Sequence, residues 1–348
     1  MGDIAHTLPA VAALRNALPE ATFGWIVEER WAELLCAISA ARRGPRSAER
    51  PLVDYVHTVD TGKWRKALFS TQTWERVAAT LSELRANHYD VAVDFQGAIK
   101  SALIARWSGA PTIFGFAQPR ETAASMFYSR RITAEGMHVI EQNYSLARGI
   151  APELQPVREL IFPMDSAAER SVDGWLAQRE LQGFVVLNPG AGWGAKQWPA
   201  ERYGQLALAL AGRGLRCVVN GSGAESALVQ KVVAASAGTA EALTGSLGQL
   251  IAITRRAGLF VGGDTGPLHL AAAVGTPVVA IFGPTNPARN GPYTANAIVL
   301  RDGGSTTSHK RFAKPDAGLL NISVEQVFEA ASTLLEKNAV PDGEAQHR

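Results

Sequence analysis

Two short segments hold the residues best suited to chemistry. The first, Leu259-Phe-Val-Gly-Gly-Asp264-Thr265-Gly266-Pro267-Leu-His269, joins an apolar run to a helix start. A strand ending at Asp264, followed by Thr265-Gly266, leaves free backbone N–H groups at a helix N-terminus. Pro267 sits near the first helical position, where its missing N–H costs nothing. Such a terminus attracts anions, each charge interaction being worth about 0.3–1 kcal/mol when exposed. Asp264 is badly placed for phosphate but well placed to accept hydrogen bonds from sugar hydroxyls; the alternative is a helix N-cap. His269, about one turn in, either faces the same ligand or is a satisfied structural histidine.

The second segment is Asn188-Pro-Gly190-Ala-Gly192-Trp-Gly194-Ala-Lys196-Gln-Trp-Pro199. Its glycines let the backbone approach an anion closely. A Walker A loop needs Gly-Lys-Ser/Thr, whereas Ala195-Lys196-Gln197 lacks the hydroxyl. A dinucleotide fingerprint matches formally as Gly190-x-Gly192-x-x-Ala195. However, Lys196-Gln-Trp-Pro199 delays the helix, and the next strand ends at Asn220 rather than at an acid. The third reading presents Lys196 as a point charge to a ligand phosphate, with the flanking tryptophans and glycines favouring that over a solvated lysine.

The elements that position these loops follow from apolar, β-branched runs at Phe23–Val27, Val91–Phe95, Phe184–Leu187, Cys217–Asn220, Leu259–Gly262 and Pro277–Phe282. Amphipathic stretches such as Trp74–Ala86 and Ala200–Ala211 lie between them. Strands alternating with helices imply parallel sheets covered on both faces. Prolines 152, 156 and 163 mark an inter-domain linker. Domains are therefore expected at 1–160 and 161–337, with a disordered tail at 338–348; Arg42–Pro51 and Asp302–Gly318 read as surface loops. Each half opens on a glycine-bearing loop leading into a helix: Gly2–Pro9 into Ala10–Leu18, and Asn188–Pro199 into Ala200–Ala211. The strand before the loop is explicit only in the second half. An open parallel sheet needs that strand near its centre, so the first half reads as displaced by about one strand, roughly 5–6 residues or more; the alternative is a genuine start with a shortened sheet.

Composition narrows the classes. The chain has 348 residues, enough for two domains with real cores. Its 34 Lys+Arg against 32 Asp+Glu leave a net charge of +2, which excludes the non-specific phosphate attraction of a dedicated nucleic-acid binder. Cys36 and Cys217 stand far apart, so neither a disulfide scaffold nor a zinc site is indicated and a reducing cytosol fits. No signal-peptide pattern follows Met1. The longest apolar run, Leu268–Phe282, is broken by Gly275 and Pro277 and reads as a buried helix and strand. A lysine and a helix terminus for a diphosphate suggest a nucleotide-sugar transferase. With no Asp-x-Asp pair for a metal, Lys196 and backbone N–H groups must neutralise the leaving group.

Five motifs sharpen this: Gly2-Asp3-Ile-Ala-His6-Thr-Leu-Pro9, Asp94-Phe-Gln-Gly97-Ala-Ile-Lys100-Ser-Ala, Arg120-Glu-Thr-Ala-Ala-Ser-Met-Phe-Tyr128, Lys196-Gln-Trp-Pro199 and Asp264-Thr-Gly-Pro-Leu-His269. Together they closely resemble glycosyltransferase family 9. The resemblance implies a GT-B fold, two Rossmann-like α/β domains facing a central cleft. It implies inverting, metal-independent transfer of L-glycero-D-manno-heptose from ADP-heptose to Kdo of Kdo2-lipid A in the lipopolysaccharide inner core, with no cofactor. By that resemblance Asp3 matches the catalytic base, a role compatible with capping the first helix. Asn188 and Lys196 fall on the donor loop, Glu225 where an acid meets the adenosine ribose, and Asp264, Thr265, Gly266 and His269 on the phosphate and heptose contacts. Lys100 and Arg120 match acceptor-side positions. The sequence departs from the family in lacking the strand and Ser-Ser step before Gly2, and in lacking cysteines within Ser305–Pro315.

An anionic lipid acceptor on a membrane gives the basic run Lys63-Trp64-Arg65-Lys66 a purpose, with Trp64 an interfacial side chain and Lys63 an acceptor-side contact; Arg130-Arg131 is the weaker cluster. The enzyme would then work in the cytoplasm, peripherally on the inner face of the inner membrane. Rival readings are another transferase of the same family, a sugar-nucleotide epimerase of GT-B type, a catalytically inert ADP-sugar binder and, more distantly, an NAD oxidoreductase.

Overall fold

The computed structural model describes residues 1–67, 70–157, 159–308 and 310–339. The chain divides into two compact units, His6–Asp165 and Ser166 onward, with Met1–Ala5 grouped with the latter. The division falls at Asp165/Ser166 rather than at 160/161, and it assigns the first five residues to the second unit.

The first unit follows the order α1 (Gly2–Ala17), β1 (Gly24–Glu28), β2 (Tyr55–Val59), α2 (Thr61–Lys66), α3 (Thr71–Ala86), β3 (Val91–Asp94), α4 (Ile99–Trp107), β4 (Thr112–Phe116), β5 (Arg130–Ile132) and α5 (Val139–Arg148). The expected loop at Gly2–Pro9 is instead the opening of α1. Asp3 in its first turn complements the positive helix end, and Pro9 is accommodated inside the helix. The five strands are parallel but form two sheets, β2-β1 and β3-β4-β5. A single open sheet is thus not what this unit contains: among the described residues β1 and β3 each have one strand neighbour. Val91 is 38% exposed, unlike a central parallel strand. Ala10, Ala13 and Leu14 of α1 pack instead on Ile140, Tyr144 and Ala147 of α5.

The second unit runs α6 (Ser166–Ala177), β6 (Val185–Asn188), α7 (Ala200–Ala211), β7 (Cys217–Gly221), α8 (Ser226–Ala235), β8 (Ala240–Thr244), α9 (Leu247–Arg256), β9 (Leu259–Gly263), α10 (Gly266–Val274), β10 (Val278–Phe282), α11 (Pro287–Asn290), β11 (Ala297–Arg301), α12 (Ala317–Asn321) and α13 (Val324–Ala339). Its sheet has the order β11-β10-β9-β6-β7-β8, all parallel. This is the doubly wound arrangement, whose direction reverses between β6 and β9. Strands β6, β9 and β10 are buried throughout, which is why each reads as an unbroken apolar run. Val327, Ala330, Ala331 and Leu334, spaced as one helical face, turn α13 onto this core. Helix α13 continues two residues past Lys337, so Asn338 and Ala339 are helical; the rest of the expected tail lies outside the described residues.

Candidate active site

In doubly wound sheets ligands bind at the carboxyl ends of the strands where the winding reverses. That point is marked here by Asn188, ending β6, and by Asp264, just past β9. Helix α10 starts at Gly266 with Thr265 as its N-cap residue and Pro267 in its first turn. Asp264 is therefore not the cap, and its carboxylate is used elsewhere. Lys196 Nζ lies 2.5 Å from Asp264 Oδ2, and His269 Nε2 lies 2.9 Å from Oδ1. The ion pair is buried, with side chains 11% and 7% exposed. Burial pushes the Asp264 carboxyl up, but the His269 hydrogen bond and charge, followed by those of Lys196, outweigh it and hold the group well below the carboxylate range. Two of the carboxylate's roughly four lone-pair directions remain for a ligand hydroxyl.

Lys196 reaches this position because Gly194–Lys196 forms a single 3-10 turn, from which its ammonium also stacks 4.3 Å from the Trp193 ring centroid. Gly194 is required by a close approach: a Cβ there would stand 1.7 Å from the Ala313 carbonyl oxygen. Beyond the turn, Trp198 is buried and donates from Nε1 to the Ile322 carbonyl at 3.0 Å, tying the loop to the start of α13. The segment expected to be a surface loop also contributes. The Ala195 N–H donates to the Phe312 carbonyl (3.0 Å), the Asp316 N–H donates to the Ala195 carbonyl (3.3 Å), and Arg311 covers Trp193 at 5.4 Å. Residues 312–316 thus strap the donor loop.

The strand end is fixed by amides. Asn220 donates to Asn188 Oδ1 at 2.7 Å, which turns the Asn188 amino group toward the Gly190 carbonyl (3.3 Å) and Thr265 Oγ1 (3.5 Å). Glu225 Oε2 accepts from the Ser222 N–H and hydroxyl, both at 2.8 Å. Its other oxygen overlies Gly190, where a Cβ would stand 2.0 Å away. Glu225 thereby joins the same loop as Asn188 and Lys196.

Asp3 belongs to this unit and is exposed. Its neighbours lie against the α10 N-terminus: a Cβ on Gly2 would be 3.5 Å from His269 Cδ2, and one on Gly266 would meet the Met1 side chain at 2.5 Å. The acid in the first turn of α1 and the Asp-Thr-Gly turn therefore share one neighbourhood.

The other basic candidates belong to the first unit. Buried Asp94 accepts from the Gln96 and Gly97 N–H groups (2.9 and 3.1 Å), the Ser101 hydroxyl (2.9 Å) and the Tyr128 hydroxyl (2.6 Å). Gly97, at φ +64°, sits against the Arg120 backbone, and its carbonyl accepts from the Glu121 N–H at 2.9 Å. Glu121 in turn accepts from the Ile99 N–H at the start of α4. This network sets the Arg120 backbone beside the start of α4, the helix that carries Lys100. Lys100 Nζ reaches Thr61 Oγ1 (3.5 Å) and Glu28 (3.6 Å), so the helix bearing Lys63 adjoins it. Lys63 pairs with Asp60 at 2.8 Å. Arg65 has no described side chain. Arg130 and Arg131 are exposed on β5, where Arg131 Nε donates to the Ser125 carbonyl.

Sequence reasoning missed Asn220, Arg311 and the strap. Only the tryptophan beside the donor loop signalled that something would cover it. Among the described residues no group of three or more His, Cys, Asp or Glu could hold a metal ion, and no helix is long and apolar enough to cross a membrane.

Paired parallel α/β units, with a lysine and a helix terminus at a winding reversal, define a nucleotide-sugar transferase of the GT-B class. Residues 77–317 match the model of glycosyltransferase family 9 (heptosyltransferase), and the chain belongs to that family. It is 31% identical to lipopolysaccharide heptosyltransferase 1 of Pseudomonas aeruginosa over 86% of this chain and 81% of that protein. It is 29% identical to lipopolysaccharide heptosyltransferase 1 of Escherichia coli K12 over 96% and 97% of the two chains. Escherichia coli heptosyltransferase WaaC, solved with ADP-2-deoxy-2-fluoro heptose, superposes with a TM-score of 0.73 at 26% identity, covering 97% of this chain and 96% of that one. The chain is therefore a glycosyltransferase enzyme.

Proposed function

We propose that this enzyme transfers L-glycero-D-manno-heptose from ADP-heptose to a Kdo hydroxyl of Kdo2-lipid A, with inversion and without a metal, at the cytoplasmic face of the inner membrane. The observation that carries the reading is the Lys196–Asp264–His269 cluster at the α10 N-terminus, with the backbone beside Asp3 packed against it. Asp3 takes the proton as the Kdo oxygen attacks the anomeric carbon. The bond from that carbon to the ADP oxygen breaks, and the electron pair leaves with the diphosphate. Lys196 and the backbone N–H groups at Thr265-Gly266 hold the charge that develops there. Asn188 and Glu225 border the nucleoside end, and Asp264 offers its remaining lone pairs to sugar hydroxyls. Lys63, Lys100 and Arg120 supply positive charge for an acceptor bearing carboxylates and phosphates. Names of the relatives support lipopolysaccharide heptose transfer, and the WaaC structure supports an ADP-linked heptose donor.

The test is mass analysis of products from ADP-heptose with and without Kdo2-lipid A. A heptosylated lipid and ADP are expected only when the acceptor is present; donor epimerised or hydrolysed without it would identify an epimerase-like enzyme. Asp3→Ala is expected to lower kcat about 10²–10⁴-fold with little change in donor KM. Near-normal turnover would remove Asp3 as the base.

A further inference from the structure

A cavity of about 140 Å³ opens among α2, α3 and α4 in the first unit. Trp64, Trp74 and Trp107 form much of its wall, joined by Val77, Leu81 and Ile104. Two of the indoles stand at the surface, Trp74 56% and Trp107 42% exposed, and Ile99 adds another 39% exposed apolar side chain on α4. Large apolar groups gathered at one exposed place mark interaction surfaces rather than ordinary protein exterior. The volume lies below the 300–1,000 Å³ usual for compact ligands, and it suits the end of a single hydrocarbon chain.

Two of the three helices around the cavity are purely basic, and the third is balanced in charge. Helices α2 and α4, which supply Trp64, Ile104 and Trp107, carry Lys63, Arg65, Lys66, Lys100 and Arg106 and no carboxylate. Asp60 caps α2 and pairs with Lys63, and Glu28 lies 3.6 Å from Lys100. Helix α3 mixes Glu75 and Glu83 with Arg76 and Arg85. Lys66 and Arg106 are exposed and pair with no carboxylate among the described residues. Indoles beside cations are the composition that settles at a lipid headgroup boundary.

We infer that this cavity takes an acyl chain of an anionic bilayer phospholipid, with Lys66 and Arg106 meeting its headgroup, so that the first unit docks on the membrane through α2, α3 and α4. The inference rests on the membrane-bound acceptor proposed above for its biological setting, but the occupant is the bilayer's own lipid and not the acceptor.

The test uses the full chain and vesicles of phosphatidylcholine, with or without phosphatidylglycerol, carrying mid-chain bromines that quench nearby indoles. No donor or acceptor is present, so the outcome is independent of whether heptose transfer is the reaction. Quenching is expected only on vesicles containing phosphatidylglycerol. It should fall in Trp74→Phe/Trp107→Phe and drop to a small remainder only when Trp64→Phe is added, although the chain has eight tryptophans. Lys66→Ala/Arg106→Ala, two surface changes that leave the circular dichroism intact, should weaken vesicle binding about thirty-fold. Binding without quenching, equal quenching on neutral vesicles, or undiminished quenching in the Phe variant would each overturn the proposal. Quenching by a monomeric brominated fatty acid alone would assign the cavity to a soluble amphiphile and overturn it too.

Discussion

Replacing Lys196 by Met keeps the stem length and removes the charge, leaving Asp264 buried with His269 as its remaining close partner. Removing one member of a buried ion pair costs about 3–5 kcal/mol. His269, 2.9 Å from the carboxylate, puts the expectation at the lower end, about 3 kcal/mol. For a unit of this size each kcal/mol moves the midpoint by about 2–4 °C, so the melting transition of the second unit should drop by about 6–12 °C. Lys196→Met/Asp264→Asn, which removes both charges, should cost less than the sum of the singles by at least about 1 kcal/mol. ADP affinity measures the functional share. Loss of a charge-assisted contact of about 1.5–3 kcal/mol weakens binding roughly 10- to 150-fold. Urea titration followed by calorimetry with ADP reads both quantities. Single variants each costing under about 0.5 kcal/mol and adding without coupling would refute the buried pair as the organising feature of the site.

Gly194→Ala forces a Cβ into the Ala313 carbonyl and must shift the 312–316 strap, so a loss of about 1–3 kcal/mol and a raised donor KM are expected. Gly192→Ala, which meets no atom within 4 Å, serves as the silent control in the thermal assay. Acid should weaken the second unit through Asp264. Its folded pKa lies below the unfolded value of 3.8, so its contribution is complete above the carboxylate range and is lost as pH falls through and below it. Stability measured against pH should therefore show a shallower acid limb in Asp264→Asn; an unchanged limb would contradict the assignment.

The sequence was most readable where burial is complete. Strands β6, β9 and β10 and the span of α7 could be drawn from apolar runs and period alone. Strands β2, β4, β5, β8 and β11 escaped because none of them is buried throughout, so none reads as an unbroken apolar run. Gly2–Pro9 reads as a loop because glycine and proline bracket it, yet the apolar Ile4, Ala5 and Leu8 are spaced for a helix, and tertiary burial of Ala5 and Leu8 decides the matter. At the site, residue types pointed to anion chemistry at Lys196 and Thr265-Gly266. What the residues could not reveal was that Lys196 is engaged by Asp264, a partner 68 positions away. The strap over the donor loop escaped for a related reason: backbone-to-backbone hydrogen bonds such as Ala195 to Phe312 leave no mark on side-chain identity.

The divided sheet of the first unit changes what holds that unit together. Among the described residues β1 and β3 each pair with a strand on one side only, so the strand ladder stops between them. Their brevity, four and five residues, limits how far another chain could zip onto either strand. Continuity passes instead through the helical layer, where Ala10 and Ala13 allow α1 to sit close against Ile140 and Tyr144. One half of the molecule is thus braced by a continuous hydrogen-bonded ribbon, and the other by close contact between small side chains. Adding even one methylene at Ala10 or Ala13 strikes the first unit's main brace, whereas a comparable surface change in the second unit leaves its ribbon intact.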